Sequence, residues 1–250
     1  MLFSEVYKDK TVLVTGHTGF KGSWLCLWLN KLGAKVVGLG LDPISDLSFY
    51  KVNNIHENLV DKRFDIRNLE NLQSLIDDCK PDFIFHLAAQ SLVRKSYLNP
   101  VETWSTNLLG TVNVLESLRS LKKKCICVLI TSDKCYSNNE WIWGYRETDR
   151  LGGSDPYSAS KASSELAIKS YFDSYFKEPN SYVTLASARA GNVIGGGDWS
   201  KDRIVPDCMR AWSSSKKVKL RSPNSTRPWQ HVLEPLSGYL TLGSKLFREI

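Results

Sequence analysis

The side chains with the clearest chemistry in this sequence are those of Tyr157 and Lys161, which stand four residues apart. In a helix this spacing places both side chains on one face, one turn apart. A free tyrosine has a pKa of about 10 and is a poor base at neutral pH, but a neighbouring ammonium group favours the phenolate. Such a pair can accept a proton from a sugar hydroxyl while a hydride leaves the same carbon. The pattern Y-x-x-x-K is common by chance. It indicates a catalytic pair only if its place in the chain also fits that role.

A second reactive group follows the apolar run at residues 125–130. Ser132, Asp133 and Lys134 put a hydroxyl, a carboxylate and an amine side by side. If the run is a strand of a parallel sheet, these side chains lie at the carboxyl edge, where ligands bind. One could hydrogen-bond a substrate oxygen, one could act as an acid and one as a base. The alternative is a polar turn with an Asp133–Lys134 ion pair, which we would favour if Tyr157 and Lys161 were absent.

Three glycines, Gly16, Gly19 and Gly22, connect the β-branched run at residues 11–15 to an amphipathic stretch at residues 19–32. This order predicts a strand, a glycine turn and a helix. A diphosphate needs free backbone N–H groups and the positive end of a helix dipole, and glycine leaves the approach open. The spacing is G-x-x-G-x-x-G, not G-x-G-x-x-G, so a tight turn without a ligand stays an alternative.

Strand and helix patterns alternate along the chain, which predicts an α/β fold with a doubly wound parallel sheet. Further helices are predicted to begin near Val101 and at Asp155-Pro156, the second ending near Phe176. Residues 137–153 have no clear period and are predicted to form a loop that could cover a site. The six predicted strands lie at residues 11–15, 36–41, 58–64, 83–90, 125–130 and 182–187.

Polar or small residues close several of these strands. Asp42 comes twenty positions after Gly22, where a carboxylate would accept hydrogen bonds from the ribose of NAD and repel the extra phosphate of NADP. An Asp-Pro turn is the alternative. Asp65 could meet an adenine edge or cap a helix. Ala88 and Ala89 would let a cofactor lie close to the backbone, whereas His86 is predicted to be a core histidine with its hydrogen bonds satisfied.

Composition excludes several classes of protein. With 250 residues, 42% hydrophobic and 24% charged, the chain is predicted to form one generous domain, with room for a small second one. The net charge of +7 is spread along the chain and favours anionic small ligands over nucleic acid. Six cysteines without C-x-x-C spacing indicate free thiols in a reducing compartment, with no metal site. No leader and no membrane-spanning run is evident, so we expect a cytoplasmic protein.

Segments along nearly the whole chain resemble the extended short-chain dehydrogenase/reductases, and among these the CDP-glucose 4,6-dehydratases. The segments are, in order, TGHTGFKGSWL, HLAAQ, TNLLGTVNVLE, TSDKCY, YSASK, RAGNVIGGGDW and RPWQHV. The first segment and the Ser-Asp-Lys triplet are the most specific. The resemblance implies a Rossmann domain at residues 1–189 and a partial sugar-nucleotide-binding domain at residues 190–250. It also implies further segments beyond Ile250, so we expect an incomplete substrate lobe.

The resemblance implies a lyase that uses tightly bound NAD to convert CDP-glucose to its 4-keto-6-deoxy form, for deoxysugars of the O-antigen type. Tyr157, Ser132 and Lys161 would serve the oxidation, and Asp133 would protonate the departing 6-hydroxyl. Lys134 stands where related dTDP-glucose enzymes carry a glutamate base, and as a base it would need a lowered pKa. The cofactor-binding set is Gly16, Thr18, Gly19, Phe20, Gly22, Asp42, Asp65, Ile66, Leu87, Ala88, Ala89, Asn107, Tyr157 and Lys161.

The substrate-binding set implied by the resemblance is Gln90, Ser132, Asn192, Arg203, Arg227 and His231. Arg227 is the stronger arginine candidate, because the guanidinium fork suits phosphate, whereas Arg189 and Arg203 could equally be solvated. The family also implies a homodimer packed through the helices that begin near Val101 and Asp155. Two alternatives stay open: a nucleotide-sugar 4-epimerase, which has no need of Asp133 and Lys134, and a non-catalytic NAD-binding protein on the same scaffold.

Overall fold

A six-stranded parallel sheet forms the centre of the protein, and the computed structural model describes residues 3–249 of the chain. Its strand order is β3-β2-β1-β4-β5-β6, and every neighbouring pair is parallel. The predicted doubly wound α/β sheet is therefore confirmed, and β1 and β5 have the predicted bounds. The strands are β1 (Thr11–Thr15), β2 (Lys35–Gly40), β3 (Val60–Arg63), β4 (Phe83–His86), β5 (Cys125–Ile130) and β6 (Val183–Ala188).

Ten α-helices connect and cover these strands within residues 3–249. They are α1 (Ser4–Tyr7), α2 (Phe20–Lys31), α3 (Phe49–Val52), α4 (Leu69–Cys79), α5 (Val93–Leu98), α6 (Pro100–Trp104), α7 (Gly110–Arg119), α8 (Pro156–Tyr171), α9 (Ile204–Ser213) and α10 (Leu233–Arg248). A π-helical turn, Ser105–Leu109, joins α6 to α7 in the helix predicted from Val101. Another, Phe172–Phe176, carries α8 to its predicted end. The carboxylate of Asp155 caps α8 by accepting from the Ser158 amide.

The sheet separates two hydrophobic cores. On one face, Val12 and Val14 of β1 pack with side chains of α2 and α10. On the other face, Leu13 packs with side chains of α4, α7 and α8. Because both faces are covered, successive residues of one strand are buried on opposite sides, which explains why the middle residues of the central strands are apolar. The carboxyl ends of the strands are left for a ligand.

The last sixty residues add a small parallel pair of strands, β7 (Asn192–Ile194) and β8 (Trp229–His231). Helix α10 then returns to the main sheet, where Leu240 lies in the first core and its carbonyl accepts a 2.6 Å hydrogen bond from the Tyr7 hydroxyl. The division into domains at residues 189 and 190 stays a prediction, since α10 packs on the sheet of the first part. Residues 1, 2 and 250, at the ends of the predicted domains, lie outside the described residues.

The cysteines are all free thiols in the described part of the chain, and four of the six are buried. Burial raises the pKa of Cys135 to about 12, as expected for an unreactive thiol. Within residues 3–249 no group of three or more His, Cys, Asp or Glu side chains could hold a metal ion. No helix in the same range is long and apolar enough to cross a bilayer.

Candidate active site

Many of the predicted site residues lie at the carboxyl edge of the sheet, where the chain leaves β1, β4 and β5. Strands β1 and β4 are neighbours, but the chain continues from β1 toward β2 and from β4 toward β5, so the crossovers diverge between them. In open α/β sheets this switch point opens the crevice in which ligands bind. The Gly16 turn follows β1, Leu87 follows β4 and Thr131 follows β5.

The glycine turn is so tight that a side chain at Gly16 or Gly22 would clash with the backbone. Gly16 has φ +75°, and a Cβ there would lie 2.7 Å from the Ala88 nitrogen. At Gly22 a Cβ would lie 2.1 Å from the Gly16 carbonyl oxygen. Gly19 is exposed at the N-terminus of α2, and no side chain caps that end of the helix. The open turn and the uncapped helix end fit a diphosphate group. Phe20 and Lys21 form the first turn of α2.

The predicted ribose and adenine contacts lie on the β2 and β3 side of this turn. Asp42 has a side chain that is 94% exposed, with one oxygen 3.8 Å from an Arg63 nitrogen. Asp65 is held by Arg67 at 2.6 Å. The alternative of Asp65 as a helix cap is wrong, because the Asn68 side chain caps α4. Two more predicted residues lie here: the Thr18 hydroxyl donates to the Leu41 carbonyl at 2.8 Å, and Ile66 is buried against Gly110.

The segment after β4 is fixed by hydrogen bonds to its neighbours. The Leu87 and Ala88 amides donate to the backbone and the hydroxyl of Thr15, and Ala89 follows half-buried. The Gln90 side chain is buried and bonded to Thr103 and Leu92. Its amide group is therefore satisfied within the chain. Asn107 accepts from the Gln90 amide at 2.8 Å and donates to Ser160 of α8 at 2.9 Å, so it ties this segment to the helix that carries Tyr157.

His86 behaves as predicted for a core histidine. It is 3% exposed, and its two ring nitrogens lie 2.8 Å from the Thr15 hydroxyl and 3.2 Å from the Thr111 hydroxyl. Burial, with a smaller effect of the Lys161 charge, lowers its pKa to about 3. The ring is therefore neutral at physiological pH and has no proton to exchange there.

The residues that follow β5 meet the first turns of α8. Ser132 and Tyr157 are buried, and Ser132 donates to an Asp133 oxygen at 3.1 Å. The Lys134 amide donates to the Ser132 hydroxyl at 3.2 Å, which closes the short 3₁₀ turn Asp133–Cys135. Lys134 itself is half-buried. The Ser132 hydroxyl, the Asp133 carboxylate and the Tyr157 phenol thus lie at one edge of the sheet, and Lys134 follows in the same turn.

The pKa values of Tyr157 and Lys161 are set mainly by burial. Burial raises the pKa of Tyr157, while the Ser132 hydroxyl and the Arg203 charge partly offset this effect. Burial lowers the pKa of Lys161 to about 8, and the Glu165 carboxylate acts in the opposite direction. The Lys161 ammonium donates to the Ile130 carbonyl at 3.3 Å. This hydrogen bond fixes the position of the Lys161 ammonium.

The predicted substrate residues of the last segment are spread out. Asn192 opens β7 half-buried, and Arg203 lies at the start of α9, where it pairs with Asp198 at 2.6 Å and donates to Ser91 at 3.1 Å. Arg227 is exposed and donates to the neighbouring Thr226 carbonyl. His231 is also exposed, in β8. The structure thus joins Arg203 to the segment after β4 but leaves Arg227 and His231 at the surface.

A largely buried ion pair between Arg189 and Glu165, which the sequence did not predict, lies near Thr131 and Lys161. Arg189 binds both Glu165 oxygens, at 3.0 and 3.1 Å, and its guanidinium stacks over the Tyr136 ring. Glu165 also accepts from Thr131 and from Ser187. Burial alone would raise the pKa of Glu165, but these hydrogen bonds hold it below its usual value. The pair joins α8 to β5 and β6, so Arg189 has a structural partner in place of a solvated surface position.

The sequence did not indicate a role for two further residues, His17 in the glycine turn and Lys21 at the start of α2. His17 is fully buried beside Gly38 and lies 2.8 Å from Asp61, which also binds Arg63 and Tyr50. Lys21 points its ammonium to the Tyr239 hydroxyl at 3.3 Å. In the sequence, these two residues could have been noticed because a histidine and a lysine interrupt a stretch of small and apolar residues.

Comparison with known proteins agrees with this fold. The family model described as GDP-mannose 4,6 dehydratase matches residues 13–241. The CDP-glucose 4,6-dehydratase of Salmonella typhimurium is 49% identical over 252 aligned residues, which cover 100% of this chain and 70% of that protein. The dTDP-D-glucose 4,6-dehydratase of Dictyostelium discoideum is 28% identical, over 91% of this chain and 54% of its own length.

Solved structures share the fold over nearly the whole chain. An epimerase of Methanothermobacter thermautotrophicus superposes with a TM-score of 0.83 at 27% identity, over 97% of this chain and 70% of its own. The dTDP-glucose 4,6-dehydratase of Bacillus anthracis, solved in complex with NAD, gives a TM-score of 0.74 at 24% identity, over 92% of this chain and 70% of its own. Both dehydratases and epimerases therefore use this arrangement of strands and helices.

Proposed function

Because the chain belongs to the GDP-mannose 4,6-dehydratase family, we propose that it catalyses the NAD-dependent 4,6-dehydration of a nucleotide-linked hexose. The substrate we propose is CDP-glucose and the product CDP-4-keto-6-deoxyglucose, a precursor of O-antigen-type deoxysugars made in the cytoplasm. The relative with 49% identity supports this choice. The observation that carries the proposal is the cluster of Ser132, Asp133, Tyr157 and Lys161 at one edge of the sheet.

The residues present fit NAD. The open glycine turn and the uncapped start of α2 suit its diphosphate, and the exposed Asp42 carboxylate suits a ribose without an additional phosphate. When bound, NAD accepts a hydride from one sugar carbon and returns it to another. The small residues Ala88 and Ala89 would leave room beside it, and Lys161 would hold its nicotinamide ribose.

In the oxidation we assign the proton transfer to Tyr157. The Tyr157 oxygen takes the proton of the sugar 4-hydroxyl, so the O–H bond breaks as the C4–H bond gives up its hydride. The Lys161 ammonium stabilises the phenolate that accepts this proton, and Ser132 donates a hydrogen bond to the same sugar oxygen. The burial of all three side chains strengthens these interactions, because water does not screen them.

In the elimination we assign the acid to Asp133 and the base to Lys134. The new 4-ketone acidifies the proton on carbon 5, and the amine of Lys134 accepts that proton. The electron pair of the C5–H bond forms a C5–C6 double bond, while the C6–O bond breaks and Asp133 supplies the proton that makes water. The side chains of Asp133 and Lys134 follow Ser132 directly, so acid and base lie on the same turn as the residue that holds the 4-oxygen.

The nucleotide end of the substrate would lie against the last segment. We propose that Asn192, Arg203, Arg227 and His231 bind the sugar and the diphosphate, with Gln90 near the sugar. Arg203 is the best supported of these, because its charge acts on Tyr157. The exposed guanidinium of Arg227 is free to turn toward a phosphate, since its only protein partner is a neighbouring carbonyl among the described residues.

The proposal is tested by incubating the protein with NAD and, separately, with CDP-, dTDP-, UDP- and GDP-glucose. Proton NMR should show the methyl signal of a 6-deoxy sugar, with CDP-glucose the best substrate. An inverted sugar without a methyl group would instead identify a 4-epimerase. NAD binding without any change in the four sugars would indicate a non-catalytic binding protein, and both of these outcomes contradict dehydration.

A further inference from the structure

Glu165 is a buried carboxylate next to the lysine of the proposed reaction. It lies four residues after Lys161 on α8, so the two side chains share one face of the helix, one turn apart. Glu165 is 6% exposed and Lys161 is 5% exposed. A buried charge destabilises a fold unless it is paired and hydrogen-bonded. No step of the proposed reaction uses Glu165, so this buried charge is a candidate for a separate role.

Hydrogen bonds hold both oxygens of the Glu165 carboxylate in place. Arg189 donates to each oxygen, at 3.0 and 3.1 Å. The Thr131 hydroxyl donates to one oxygen, and the Ser187 hydroxyl donates to the other at 3.0 Å. Burial acts to raise the pKa of Glu165, but these hydrogen bonds keep it below its usual value. The side chain is therefore ionised at neutral pH and fixed in position.

The end of β5 holds the two side chains of α8 at successive residues. The Ile130 carbonyl accepts a 3.3 Å hydrogen bond from the Lys161 ammonium. The hydroxyl of the next residue, Thr131, donates to Glu165. Ser132, the proposed partner of the sugar 4-oxygen, follows directly. Strand and helix are therefore joined at neighbouring points, and the carboxylate and the ammonium are held on the same side of α8.

The charges around Lys161 differ in sign and strength. Burial lowers the pKa of Lys161 to about 8, and the Glu165 carboxylate opposes this effect. The Asp133 carboxylate acts on Lys21 and on Tyr157 instead. Glu165 is therefore the carboxylate that offsets the burial of the Lys161 ammonium. The other titratable groups that face this ammonium are Tyr157 of α8 itself, Cys135 from the turn after β5, His86 from β4 and Lys21 from α2.

We propose that Glu165 is a positioning residue that keeps Lys161 in its ammonium form. The consequence for catalysis rests on the function proposed above, in which this ammonium stabilises the Tyr157 phenolate as it takes the sugar proton. A neutral amine offers the phenolate no charge, so loss of the Glu165 charge slows the oxidation at neutral pH. Glu165 itself exchanges no proton and forms no bond with the sugar or the cofactor.

A purely structural connection is the competing role, because Glu165 also joins α8 to Arg189 at the end of β6. The two roles differ in what responds when the carboxylate is removed. Loss of a structural connection lowers stability and reduces the rate by a similar factor at every pH. Loss of a nearby negative charge lowers the pKa of Lys161, and this titration is measured without substrate or cofactor.

The test follows the titration of Lys161 by NMR in protein that carries ¹³C in its lysine side chains, and Lys161→Met identifies the resonance. We expect Glu165→Gln to lower the pKa of Lys161 from about 8 to about 7, and Glu165→Asp to keep most of the wild-type value. Glu116→Gln is the matched control. Glu116 pairs with Arg119 and accepts from Tyr171 at the far end of α8, so this variant should leave the titration unchanged.

Single-turnover formation of NADH connects this titration to the reaction. The wild type should lose rate at alkaline pH as Lys161 deprotonates, and Glu165→Gln should move this loss to lower pH by about the interval seen by NMR. Thr131→Val removes one hydrogen bond to Glu165 but no charge. It should therefore leave the pH of the alkaline loss unchanged.

A double variant separates the loss of the carboxylate from the arginine that it leaves behind. Glu165→Gln leaves Arg189 as an unpaired, largely buried cation, whereas Glu165→Gln combined with Arg189→Met removes the whole pair. The pKa of Lys161 should fall in both. An unchanged pKa in either folded variant overturns the proposal, as does an equal fall in Glu116→Gln. A lowered pKa in a protein that forms no 6-deoxy sugar would refute the dehydratase function but not the effect of Glu165 on Lys161.

Discussion

Lys161 shows how one buried side chain links catalysis to stability. The residue is 5% exposed, and burial lowers its pKa to about 8 in the folded protein. In the unfolded chain a lysine has a pKa of about 10.4. Between about pH 8 and 10.4 the unfolded state therefore binds more protons, and this group makes the free energy of unfolding rise with pH. Below pH 8 both states are charged, and burial of the ammonium destabilises the fold.

We therefore predict that Lys161→Met stabilises the protein at pH 7, by on the order of 2 kcal/mol, while removing activity. The advantage over the wild type should shrink as the pH rises from 8 to 10. Urea denaturation at several pH values measures it. Lys169→Met, 73% exposed on the same helix, is the matched control and should show no such pH-dependent gain. Equal stability of Lys161→Met and the wild type across this range would contradict a lowered lysine pKa.

The proposed role of Lys134 belongs only to the second half of the reaction, the elimination of water. If it is the base for the proton on carbon 5, Lys134→Ala should still oxidise the sugar and form NADH but should release water at least a hundredfold more slowly. Tyr157→Phe, by contrast, should prevent NADH formation. Single-turnover absorbance of the reduced nicotinamide, followed by product analysis, distinguishes these cases. Unimpaired dehydration by Lys134→Ala would remove Lys134 from the mechanism.

At the scale of the elements, the glycine turn between β1 and α2 is the part that tolerates least change. A Cβ on Gly22 would meet the Gly16 carbonyl oxygen at 2.1 Å, and this contact is between backbone segments that have no side-chain freedom. We predict that Gly22→Ala displaces the turn and lowers NAD affinity at least tenfold, because the backbone N–H groups then no longer converge on the diphosphate. Calorimetric titration with NAD measures the effect.

Gly238→Ala provides the control for this change. Gly238 also lies inside a helix, α10, and a Cβ there would meet nothing within 4 Å. The substitution should leave NAD affinity unchanged and raise stability by about 0.5 to 1 kcal/mol, since alanine favours the helix. If Gly22→Ala bound NAD as well as Gly238→Ala does, the turn would not be the diphosphate site.

The predictable elements were those with a strong local pattern. Strands β1 and β5 have the predicted bounds because β1 is a β-branched run that ends at a glycine turn and β5 is an uninterrupted apolar run. Helix α8 begins as predicted because Asp155 and Pro156 are local start signals. The end of β2 was predicted one residue late, at Leu41, because that side chain is apolar yet 59% exposed. The pattern of apolar residues in the sequence does not show whether a particular apolar side chain is exposed.

The unpredicted features depend on pairs that are distant in sequence. Arg189 meets Glu165 twenty-four residues away, and Lys21 meets Tyr239 at a separation of 218 residues. No periodicity links such positions, so Arg189 could be considered only as a nucleotide or surface residue. The cluster of Ser132, Tyr157 and Lys161 was predictable because its members follow one strand and begin the next helix, which meet at the same edge of a parallel sheet.

At the scale of the whole molecule, exposed apolar side chains support the homodimer that we propose. Val101 of α6 is 80% exposed, Leu109 in the adjoining π turn 53% and Leu166 of α8 58%. These residues lie on the helices through which the dimer is predicted to pack, and burying them would remove apolar surface from water. We predict a dimer by sedimentation, and a monomer for Leu166→Lys. A monomeric wild type would contradict this assembly.

For the molecule as a whole, we propose that one set of residues carries out both the oxidation and the elimination. It is tested most directly by proton NMR of CDP-glucose incubated with the protein and NAD in D₂O. We predict a 6-deoxy-4-keto product whose carbon 5 carries deuterium, because the enzyme removes that proton to a base that exchanges with solvent before it is returned. A sugar that keeps its 6-hydroxyl and its original hydrogen on carbon 5, with or without inversion at carbon 4, would contradict this mechanism.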